Sequence, residues 1–316
     1  MLDLPPDGKR MMKPEHLTYL REIYGNRLQE NNLLSVHTSA RIGGPADASI
    51  LARSGDELAE ISTRMWEKEI PFIIIGGGSN ILVSDKGIRD LLIINRARSV
   101  QYDGNSKFPN IRVESGTTMN DLAQKAALWG LGGLEWGATV PGSLGGAIYG
   151  NAGAFDSDMA GNLISVVLIQ PRIGQRTWLV EKMEYSYRSS ILKREHQSAV
   201  ILSAELSVNI SSPEVVREIM DKNSTTRRKT QPAGASMGSI FKNPPDDYAG
   251  RLIENAGLKG KRIGNAEIST VHANFIVNHG VCSASEVKEL IEIVRQEVAS
   301  KSGVELELEI ELVGDW

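Results

Sequence analysis

Hydrophobic side chains along this chain follow two spacings, one typical of helices and one typical of strands. Residues 14–32 carry apolar positions with a period near 3.6, which predicts an amphipathic helix. Apolar runs of strand length, some alternating and some continuous, occur through the rest of the chain. They predict strands over 47–53, 70–75, 91–95, 111–115, 163–170, 176–182, 200–208, 275–278 and 304–313.

Helix starts are marked by capping residues. Ser54 with Glu57, and Ser283 with Glu286, have the spacing of a capping box, so each serine is expected to accept a hydrogen bond from the third helical N–H group. The glycine-rich residues 130–153 are predicted to form turns. Further helices are predicted over 120–129, 213–228 and 247–256.

The composition is that of an ordinary globular protein. Of 316 residues, 41% are apolar and 23% are charged, and a chain of this length is expected to form two or three domains. The net charge of −4 gives no reason to expect a nucleic acid or an anionic membrane as partner. The longest apolar runs are strand-sized and fall short of the roughly 20 residues that a membrane span needs.

The amino terminus and the cysteine content predict a cytoplasmic protein. Residues 1–13 lack the apolar core of a signal peptide and are predicted to form a mobile leader. Cys282 is the single cysteine, which excludes an internal disulfide and fits a reducing cytoplasm. We expect a buried, inert thiol there rather than a nucleophile. None of the five histidines has the spacing of metal ligands, so no metal is predicted.

Two glycine-rich loops have the composition of phosphate-binding sites. The first, residues 76–80, directly follows a predicted buried strand, an arrangement in which backbone N–H groups converge on phosphate oxygens. A tight turn is the alternative for either loop alone, but two such loops suit a cofactor that contains a diphosphate. The residues predicted to bind it are Gly76, Gly77, Gly78, Ser79, Asn80, Pro141, Gly142, Ser143, Gly145 and Gly146.

A third segment, residues 237–244, carries chemistry of another kind. It places a hydroxyl (Ser239), an ammonium (Lys242) and a carboxamide (Asn243) within five residues, a set that can hold a polar substrate and move a proton. A turn hydroxyl and solvated charges are the alternative. Upstream, residues 227–229 form a basic cluster that either contacts phosphates or ends a solvated helix.

Taken in order, these motifs resemble those of the UDP-N-acetylenolpyruvoylglucosamine reductases, flavoenzymes of peptidoglycan synthesis. The resemblance runs from about residue 39 to residue 314 and is carried by many segments rather than by one glycine loop. The segments are 41–46 (RIGGPA), 76–84 (GGGSNILVS), 132–135 (GGLE), 140–147 (VPGSLGGA), 151–154 (NAGA), 187–190 (YRSS), 238–244 (GSIFKNP), 272–275 (HANF) and 308–314 (LEIELVG).

The resemblance implies an α+β protein with an FAD-binding fold of the vanillyl-alcohol-oxidase (PCMH) type in two subdomains, followed by an α+β substrate-binding domain. The short spacing between Arg188 and Ser239 resembles the shorter class of the family, which lacks an inserted substrate-covering loop. The implied bounds are a leader and helix over 1–32, the FAD-binding domain over 33–209 with a split near 97–110, the substrate-binding domain over 210–303, and a terminal strand over 304–316 that carries Glu309.

The resemblance also implies the chemistry. FAD is the implied cofactor, with Asn151 among its ligands, and NADPH is the implied hydride donor. The substrate would be a UDP-sugar, UDP-N-acetylglucosamine enolpyruvate, whose enolpyruvyl group is reduced to give UDP-N-acetylmuramate. No partner beyond these small molecules is implied, and we expect a monomer.

Roles for individual residues follow from the same resemblance. Ser239 would donate a proton, while Arg188 and Glu309 would support an enolate. A guanidinium suits this task because its planar fork meets a carboxylate with two hydrogen bonds. By pattern alone Glu309 is not distinguished, because it alternates with other glutamates in a segment that could be a solvated strand face. The implied substrate contacts are Lys242, Asn243 and Lys229.

Two other functions fit parts of the sequence. A flavin oxidase or dehydrogenase of the same fold could act on a sugar or a lactone, but no histidine for covalent FAD attachment adjoins residues 76–80 or 137–153, and residues 238–244 would be unexplained. A nucleotide-binding regulatory module would not need the proton-donor set, which is present here.

Overall fold

The secondary structure is described for residues 11–102, 104 and 109–316 in a computed structural model. In these ranges the helices are α1 (Pro14–Tyr24), α2 (Gly55–Glu67), α3 (Met119–Leu128), α4 (Leu144–Gly150), α5 (Met159–Asn162), α6 (Ile191–Arg194), α7 (Pro213–Thr230), α8 (Ala249–Asn255) and α9 (Ala284–Ser302). The strands are β1 (Gln29–Leu33), β2 (Pro45–Ala52), β3 (Phe72–Ile75), β4 (Ile81–Val83), β5 (Ile88–Asn95), β6 (Val100–Tyr102), β7 (Asn110–Glu114), β8 (Leu131–Gly132), β9 (Gly153–Ala154), β10 (Ser157–Asp158), β11 (Leu163–Gln170), β12 (Gly174–Leu179), β13 (Val200–Ser207), β14 (Asn209–Ile210), β15 (Ala235–Ser239), β16 (Arg262–Ile263), β17 (Ala266–Ile268), β18 (Phe275–Asn278) and β19 (Glu311–Val313).

The chain divides into two units, each assembled from segments that are separate in sequence. Unit 1 holds the described residues within Met1–Leu51, Glu67–Ile94 and Pro232–Trp316, and unit 2 holds those within Ala52–Trp66 and Asn95–Gln231. Helix α7 belongs to unit 2, where its buried Val216 and Met220 pack against α3. The domain bounds implied by the sequence remain a prediction, and part of the predicted split near 97–110 lies outside the described residues.

The described part of unit 1 contains two four-stranded sheets and one parallel strand pair. The first sheet has the order β1-β2-β5-β3, with β3 parallel to β5. The second has the order β15-β18-β17-β16 and is antiparallel. The pair joins β19 to β4 in parallel, with Glu311 opposite Ile81. Residues near the carboxyl end of the chain therefore lie beside the strand that follows the first glycine loop.

Helix α9 covers the core of unit 1 with an apolar face. Its capping box is confirmed, since Ser283 Oγ accepts from the Glu286 N–H group and Glu286 accepts from the Ser283 N–H group. The helix ends at Gly303, whose φ of 71° is left-handed. The face consists of Val287, Leu290, Ile291, Val294 and Val298, each at most 1% exposed.

Unit 2 is built around a five-stranded antiparallel sheet of order β12-β11-β13-β7-β6. The strand predicted over 163–170 coincides with β11, and β13 alternates buried and half-buried residues along its length, as a strand with one covered face does. Leu122 of α3 and Leu144 and Ile148 of α4 are fully buried in the core that this sheet helps to form.

Three predicted elements differ from the structure. The helix predicted over 14–32 ends at Tyr24, because Gly25 takes a left-handed φ of 48°, and residues 29–33 form β1. Residues 130–153 are predicted to form turns because they are rich in glycine, but residues 144–150 form the helix α4. The strand predicted over 304–313 is limited to 311–313, because only these residues pair continuously with a neighbouring strand, β4, whereas Leu308 forms an isolated bridge with Phe241.

The predicted leader falls mostly on residues 1–10, which lie outside the described residues. Beyond them, the N–H group of the buried Met12 donates to Asp47 Oδ2 at 2.7 Å. The carboxylate of Asp47 also forms an ion pair with Arg89. Residue 12 is therefore fixed to the first sheet of unit 1, since Asp47 lies on β2 and Arg89 on β5.

Replacing Ser283 tests the capping box of α9. Ser283→Ala removes the acceptor for the Glu286 N–H group and is expected to lower the free energy of unfolding by about 1 kcal/mol. Ser283→Gly is the matched control and should lose only a few tenths of a kcal/mol. Urea unfolding followed by circular dichroism measures both, and equal losses in the two variants would contradict the assignment.

Candidate active site

The first glycine loop turns sharply after β3, and Gly78 explains why. Gly78 has a φ of 58°, and a Cβ atom added there would lie 2.2 Å from the carbonyl oxygen of His37. The Gly78 carbonyl in turn accepts from the Ser39 N–H group at 3.0 Å. The inner side of the loop is thus packed against backbone, while Gly77 and Asn80 are exposed.

Asn80 connects this loop to the carboxyl-terminal segment of unit 1. Its side-chain amide donates to the carbonyl oxygen of Glu309 at 3.0 Å. Its main-chain carbonyl accepts from the N–H group of Glu311 at 2.9 Å. The residue that ends the loop therefore holds the backbone on both sides of Ile310.

Ser239 stands at the end of β15, opposite Phe275 of β18. The register shifts between Ser236 and Ser239, where Gly238 has a φ of 78°. This irregularity leaves Ser239 half-buried, while the next residues, Ile240 and Phe241, are both 1% exposed. The hydroxyl is therefore carried on a backbone that is anchored on its carboxyl side by buried side chains.

Asn274 holds the residues that follow Ser239, and the sequence analysis did not single it out. Its side chain accepts from the Phe241 N–H group at 2.9 Å and donates to the Phe241 carbonyl at 2.8 Å. Its own carbonyl accepts from Ile240 at 2.9 Å. Asn274 is 3% exposed, and its place in the 272–275 motif was the available signal, although the motif drew attention to His272 instead.

Glu309 is brought next to the same segment. Its N–H group donates to the Ile240 carbonyl at 2.8 Å, so the main chain of Glu309 is bonded to the residue that follows Ser239. Its side chain is half-buried, whereas Glu305 and Glu307 are exposed. Burial thus distinguishes Glu309 from Glu305 and Glu307, which the sequence pattern alone could not do.

The two predicted substrate contacts in unit 1 bond to protein groups in this structure. Lys242 Nζ lies 3.1 Å from Glu307 Oε2, and the Lys242 N–H group donates to the Glu307 carbonyl. Asn243 Oδ1 accepts from the N–H group of Ala249 at the start of α8. Glu307 is largely exposed, so its ion pair with Lys242 contributes little to stability and can be exchanged for a ligand.

Burial shifts the pKa values of His272 and Cys282. Burial lowers the pKa of His272, whose Nδ1 accepts from the Asn274 N–H group at 3.2 Å. Burial raises the pKa of Cys282 to about 12, together with the neighbouring Glu286 and Asp85 carboxylates. A thiol with this pKa is not a nucleophile at neutral pH, as expected.

In unit 2, the second glycine loop is tied to the residues just before α3. The N–H groups of Leu144 and Gly145 donate to the carbonyls of Thr117 and Ser115, each at 2.8 Å. Gly142, with a φ of 113°, accepts from the Met119 N–H group at 3.1 Å. These bonds fix the loop and leave Pro141 and Gly146 exposed at its two ends.

Asn151 ends α4 in a left-handed conformation, with φ 46° and ψ 57°. Its amide donates to Asp158 at 3.2 Å and to the Ser186 carbonyl at 3.1 Å, and its oxygen accepts from the Ala160 N–H group at 3.0 Å. The side chain is 4% exposed. In this structure Asn151 therefore acts on the protein, joining α4 to the segment that carries Arg188.

Arg188 lies on a tight turn in which the N–H and carbonyl groups of Ser186 and Ser189 are reciprocally bonded at 3.1 Å. Its φ of 54° is left-handed, which is uncommon outside glycine and worth about 1 kcal/mol or more of backbone strain. The guanidinium donates to the Gly153 carbonyl at 3.1 Å and lies 5.2 Å from the ring centre of the exposed Tyr187.

Both sides of this turn are bonded to α4. Tyr185 Oη donates to the Ile148 carbonyl at 2.9 Å, and Ser190 Oγ donates to the Tyr149 carbonyl at 2.6 Å. Burial raises the pKa of Tyr185, with a contribution from the Asp158 carboxylate, so its phenol stays protonated. Arg188 and the second glycine loop therefore share one rigid support in α4.

Lys229, the third predicted substrate contact, is exposed in the last turn of α7. Its neighbour Arg227 is half-buried, and burial lowers the pKa of that guanidinium. Within the described residues no three His, Cys, Asp or Glu side chains cluster so as to hold a metal ion. None of the described helices is both long and apolar enough to cross a lipid bilayer.

Each loop, taken by itself, has the backbone features of a phosphate-binding site. Each has an inner glycine packed against backbone or side chain and an outer glycine that is exposed, Gly77 in the first loop and Gly146 in the second. A Cβ atom added at Gly146 would meet only Ser143 Oγ, at 3.8 Å. Backbone at these two positions is therefore open to close approach, which is what phosphate binding by main-chain N–H groups requires.

Alanine substitutions separate close packing from backbone conformation at Gly78. Gly78→Ala is expected to disrupt the loop and to lower the melting temperature strongly, because its Cβ would overlap the His37 backbone. Gly257→Ala is the matched control, since Gly257 has a φ of 77° but no atom within 4 Å of the added Cβ. It should lose only the roughly 1–2 kcal/mol of left-handed strain, measured by thermal unfolding. Similar losses in both variants would contradict the packing argument.

The lowered pKa of His272 predicts a pH-dependent contribution to stability. Because the pKa of His272 is lowered in the folded state, the unfolded state binds more protons than the folded state as the pH falls below 6.5. The contribution of His272 to the free energy of unfolding is therefore fully present above pH 6.5 and decreases as the pH falls. The difference in melting temperature between wild type and His272→Gln should therefore shrink between pH 7.5 and pH 5. A difference that stays constant over this range would contradict the prediction.

Comparisons with known proteins agree with this arrangement. A family model described as UDP-N-acetylenolpyruvoylglucosamine reductase, C-terminal domain, matches residues 230–313, and one described as FAD binding domain matches residues 46–169. The UDP-N-acetylenolpyruvoylglucosamine reductase of Chloroflexus aggregans is 39% identical over 289 residues, 90% of this chain and 97% of that protein. Its namesake in Bacillus subtilis is 38% identical over 299 residues, 93% and 97% of the two chains.

A solved structure is also similar over almost the whole chain. The crystal structure of UDP-N-acetylenolpyruvylglucosamine reductase from Thermus caldophilus has a TM-score of 0.75 and 34% identity, covering 89% of this chain and 97% of that one. The expected fold class is confirmed, with an FAD-binding domain and the C-terminal domain of this family. The chain therefore belongs to the family of UDP-N-acetylenolpyruvoylglucosamine reductases.

Proposed function

We propose that this protein uses FAD and NADPH to reduce the enolpyruvyl group of UDP-N-acetylglucosamine enolpyruvate, giving UDP-N-acetylmuramate for peptidoglycan synthesis. Family membership over nine-tenths of the chain supports the reaction class. One structural observation carries the assignment of residues: the main chain of Glu309 is bonded to Ile240, the residue after Ser239, at 2.8 Å. A hydroxyl and a carboxylate from distant parts of the sequence are thereby carried on adjacent backbone.

The two glycine loops would hold the cofactor. Gly76, Gly77, Gly78 and Ser79 of the first loop would contact the diphosphate, as would Pro141, Gly142, Ser143, Gly145 and Gly146 of the second. FAD, when bound, supplies the hydride that NADPH delivers to the enzyme. Asn151 is proposed as a further contact of the cofactor, and its three hydrogen bonds join the end of α4 to the segment that carries Arg188.

The reaction requires the enzyme to stabilise negative charge on the substrate. Hydride addition to one alkene carbon leaves an electron pair that delocalises into the adjacent carboxylate as an enolate. Arg188 suits this charge, because its guanidinium is permanently positive and meets a carboxylate with two hydrogen bonds. Its turn is held by Tyr185, Ser190 and Asn151, so the charge is oriented before the substrate binds.

Ser239 would supply the proton that completes the reduction. A serine hydroxyl is a weak acid, so it can protonate only a strongly basic carbon such as that of the enolate. Glu309 in its protonated form would stabilise the enolate and return a proton to the serine oxygen. The half-buried position of Glu309 and its backbone bond to Ile240 support this pairing.

Basic and amide groups would recognise the uridine diphosphate of the substrate. Lys242 can exchange its partner Glu307 for a phosphate, because that carboxylate is 77% exposed and weakly held. Asn243 and Lys229 are proposed as further contacts. We also propose a cytoplasmic monomer and the division at residues 33, 210 and 304 that the sequence predicted.

Two half-reactions test this function. The purified protein should be yellow. In the absence of oxygen, NADPH should reduce the flavin and remove the colour. The enolpyruvyl nucleotide should then reoxidise the flavin and restore the colour rapidly. In Ser239→Ala, bleaching should proceed as in wild type, while restoration should slow by about 10²–10⁴-fold, the usual contribution of a positioned acid. Stopped-flow absorbance measures both steps.

Ser236→Ala is the matched control, because Ser236 lies on the same strand three residues away. It should leave both half-reactions near wild-type rates. Restoration at the wild-type rate in Ser239→Ala would refute the serine assignment. A colourless wild type would favour a regulatory module, and a flavoprotein that the nucleotide fails to reoxidise would favour another oxidase or dehydrogenase.

A further inference from the structure

The backbone of Glu309 is held from two directions by different parts of unit 1. Its N–H group donates to Ile240 at 2.8 Å, and its carbonyl accepts from the Asn80 side chain at 3.0 Å. The next pair, Asn80 carbonyl to Glu311 N–H at 2.9 Å, continues as the parallel pairing of β4 and β19. Both peptide groups of Glu309 are therefore fixed by hydrogen bonds.

The bond from Asn80 differs from the others in kind. It is made by a side chain and crosses 229 residues of sequence, whereas strand pairing would proceed without it. It is also exposed, and an exposed amide hydrogen bond adds little to stability because water competes for both groups. Its effect is instead geometric, since it fixes the carbonyl of the one residue whose carboxylate the chemistry uses.

We propose that Asn80 is a positioning residue for Glu309 and couples the first glycine loop to the carboxylate that supports proton transfer. This inference rests on the function proposed above. Asn80 ends the loop that would hold the cofactor diphosphate, so the position of the Glu309 backbone depends on the conformation of that loop. A loop that is correctly folded around its ligand thereby holds Glu309 in its working position.

The proposal differs from the sequence-based prediction that Asn80 binds the cofactor directly. A carboxamide has two N–H donors and one acceptor oxygen, and one donor is engaged with Glu309. Direct binding predicts that loss of the side chain weakens FAD affinity. Positioning predicts that FAD affinity is kept and that only the step which needs Glu309 suffers.

Asn80→Ala in the full-length protein separates these outcomes. The FAD dissociation constant, measured by flavin fluorescence on titrating the apoprotein, should stay within about threefold of wild type. Flavin reduction by NADPH should also be unchanged. Reoxidation by the enolpyruvyl nucleotide should slow by about 10–100-fold, since small misplacements of a catalytic group cost up to about 10²-fold in rate.

Asn265→Ala is the matched control. Asn265 also lies in unit 1 and its amide donates to a backbone carbonyl, that of Val281, at 2.7 Å. Its loss should leave all three quantities at wild-type values. A general effect of removing such a bond would appear in both variants, so slowing in Asn265→Ala equal to that in Asn80→Ala would overturn the proposal.

A double-mutant cycle provides the decisive readout. If Asn80 acts through Glu309, then adding Asn80→Ala to Glu309→Gln should cause no further slowing of reoxidation. Full additivity of the two effects, or a weakened FAD affinity with normal reoxidation at saturating FAD, would overturn the proposal. A wild-type protein that the nucleotide does not reoxidise would overturn the proposed function and this inference together, whereas equal rates in wild type and Asn80→Ala would overturn this inference alone.

Discussion

The candidate site in unit 1 depends on one set of hydrogen bonds, which holds residues 307–311 between residues 240–242 and Asn80. On one side, the N–H group of Lys242 donates to Glu307 and that of Glu309 donates to Ile240. On the other side, the Asn80 side chain donates to the Glu309 carbonyl and the Asn80 carbonyl accepts from Glu311. Such contacts close a loop of more than two hundred residues, which costs only a few kcal/mol more entropy than a short loop. Without them, Ser239 and Glu309 would have no defined relation.

In unit 2 the position of Arg188 depends on hydrogen bonds from the side chains around its turn. A left-handed arginine on a tight turn is unfavourable by itself, and the surrounding side chains compensate for it: Tyr185 and Ser190 bond to α4, and Asn151 bonds to the Ser186 carbonyl. These are local contacts between segments fewer than fifty residues apart. In unit 2 these supporting hydrogen bonds come from side chains, whereas in unit 1 backbone pairing and the side chains of Asn80 and Asn274 share this role.

Much of the fold could be predicted because local signals matched tertiary needs: β11, β18 and the capping box of α9 occur where periodicity and capping residues indicated. The misses have physical causes. Gly25 ended a helix whose apolar period continued beyond it. Apolar residues alternate with glutamates over 304–310 as in a strand, yet these residues pair only through the bridge between Leu308 and Phe241. For the site, residue types and order indicated the candidates, but the support given by Asn274, Tyr185 and Asn80 depends on contacts that no periodicity records.

The parallel pairing of β4 with β19 has a consequence for biosynthesis. Residues 81–83 are synthesised before residues 311–313, so β4 has no β19 to pair with until synthesis has passed the end of α9. The segment that contacts both the first loop and the residues after Ser239 is therefore made last. A nascent chain or a fragment that stops at residue 306 has every glycine of both loops yet lacks Glu309 and the strand that pairs with β4.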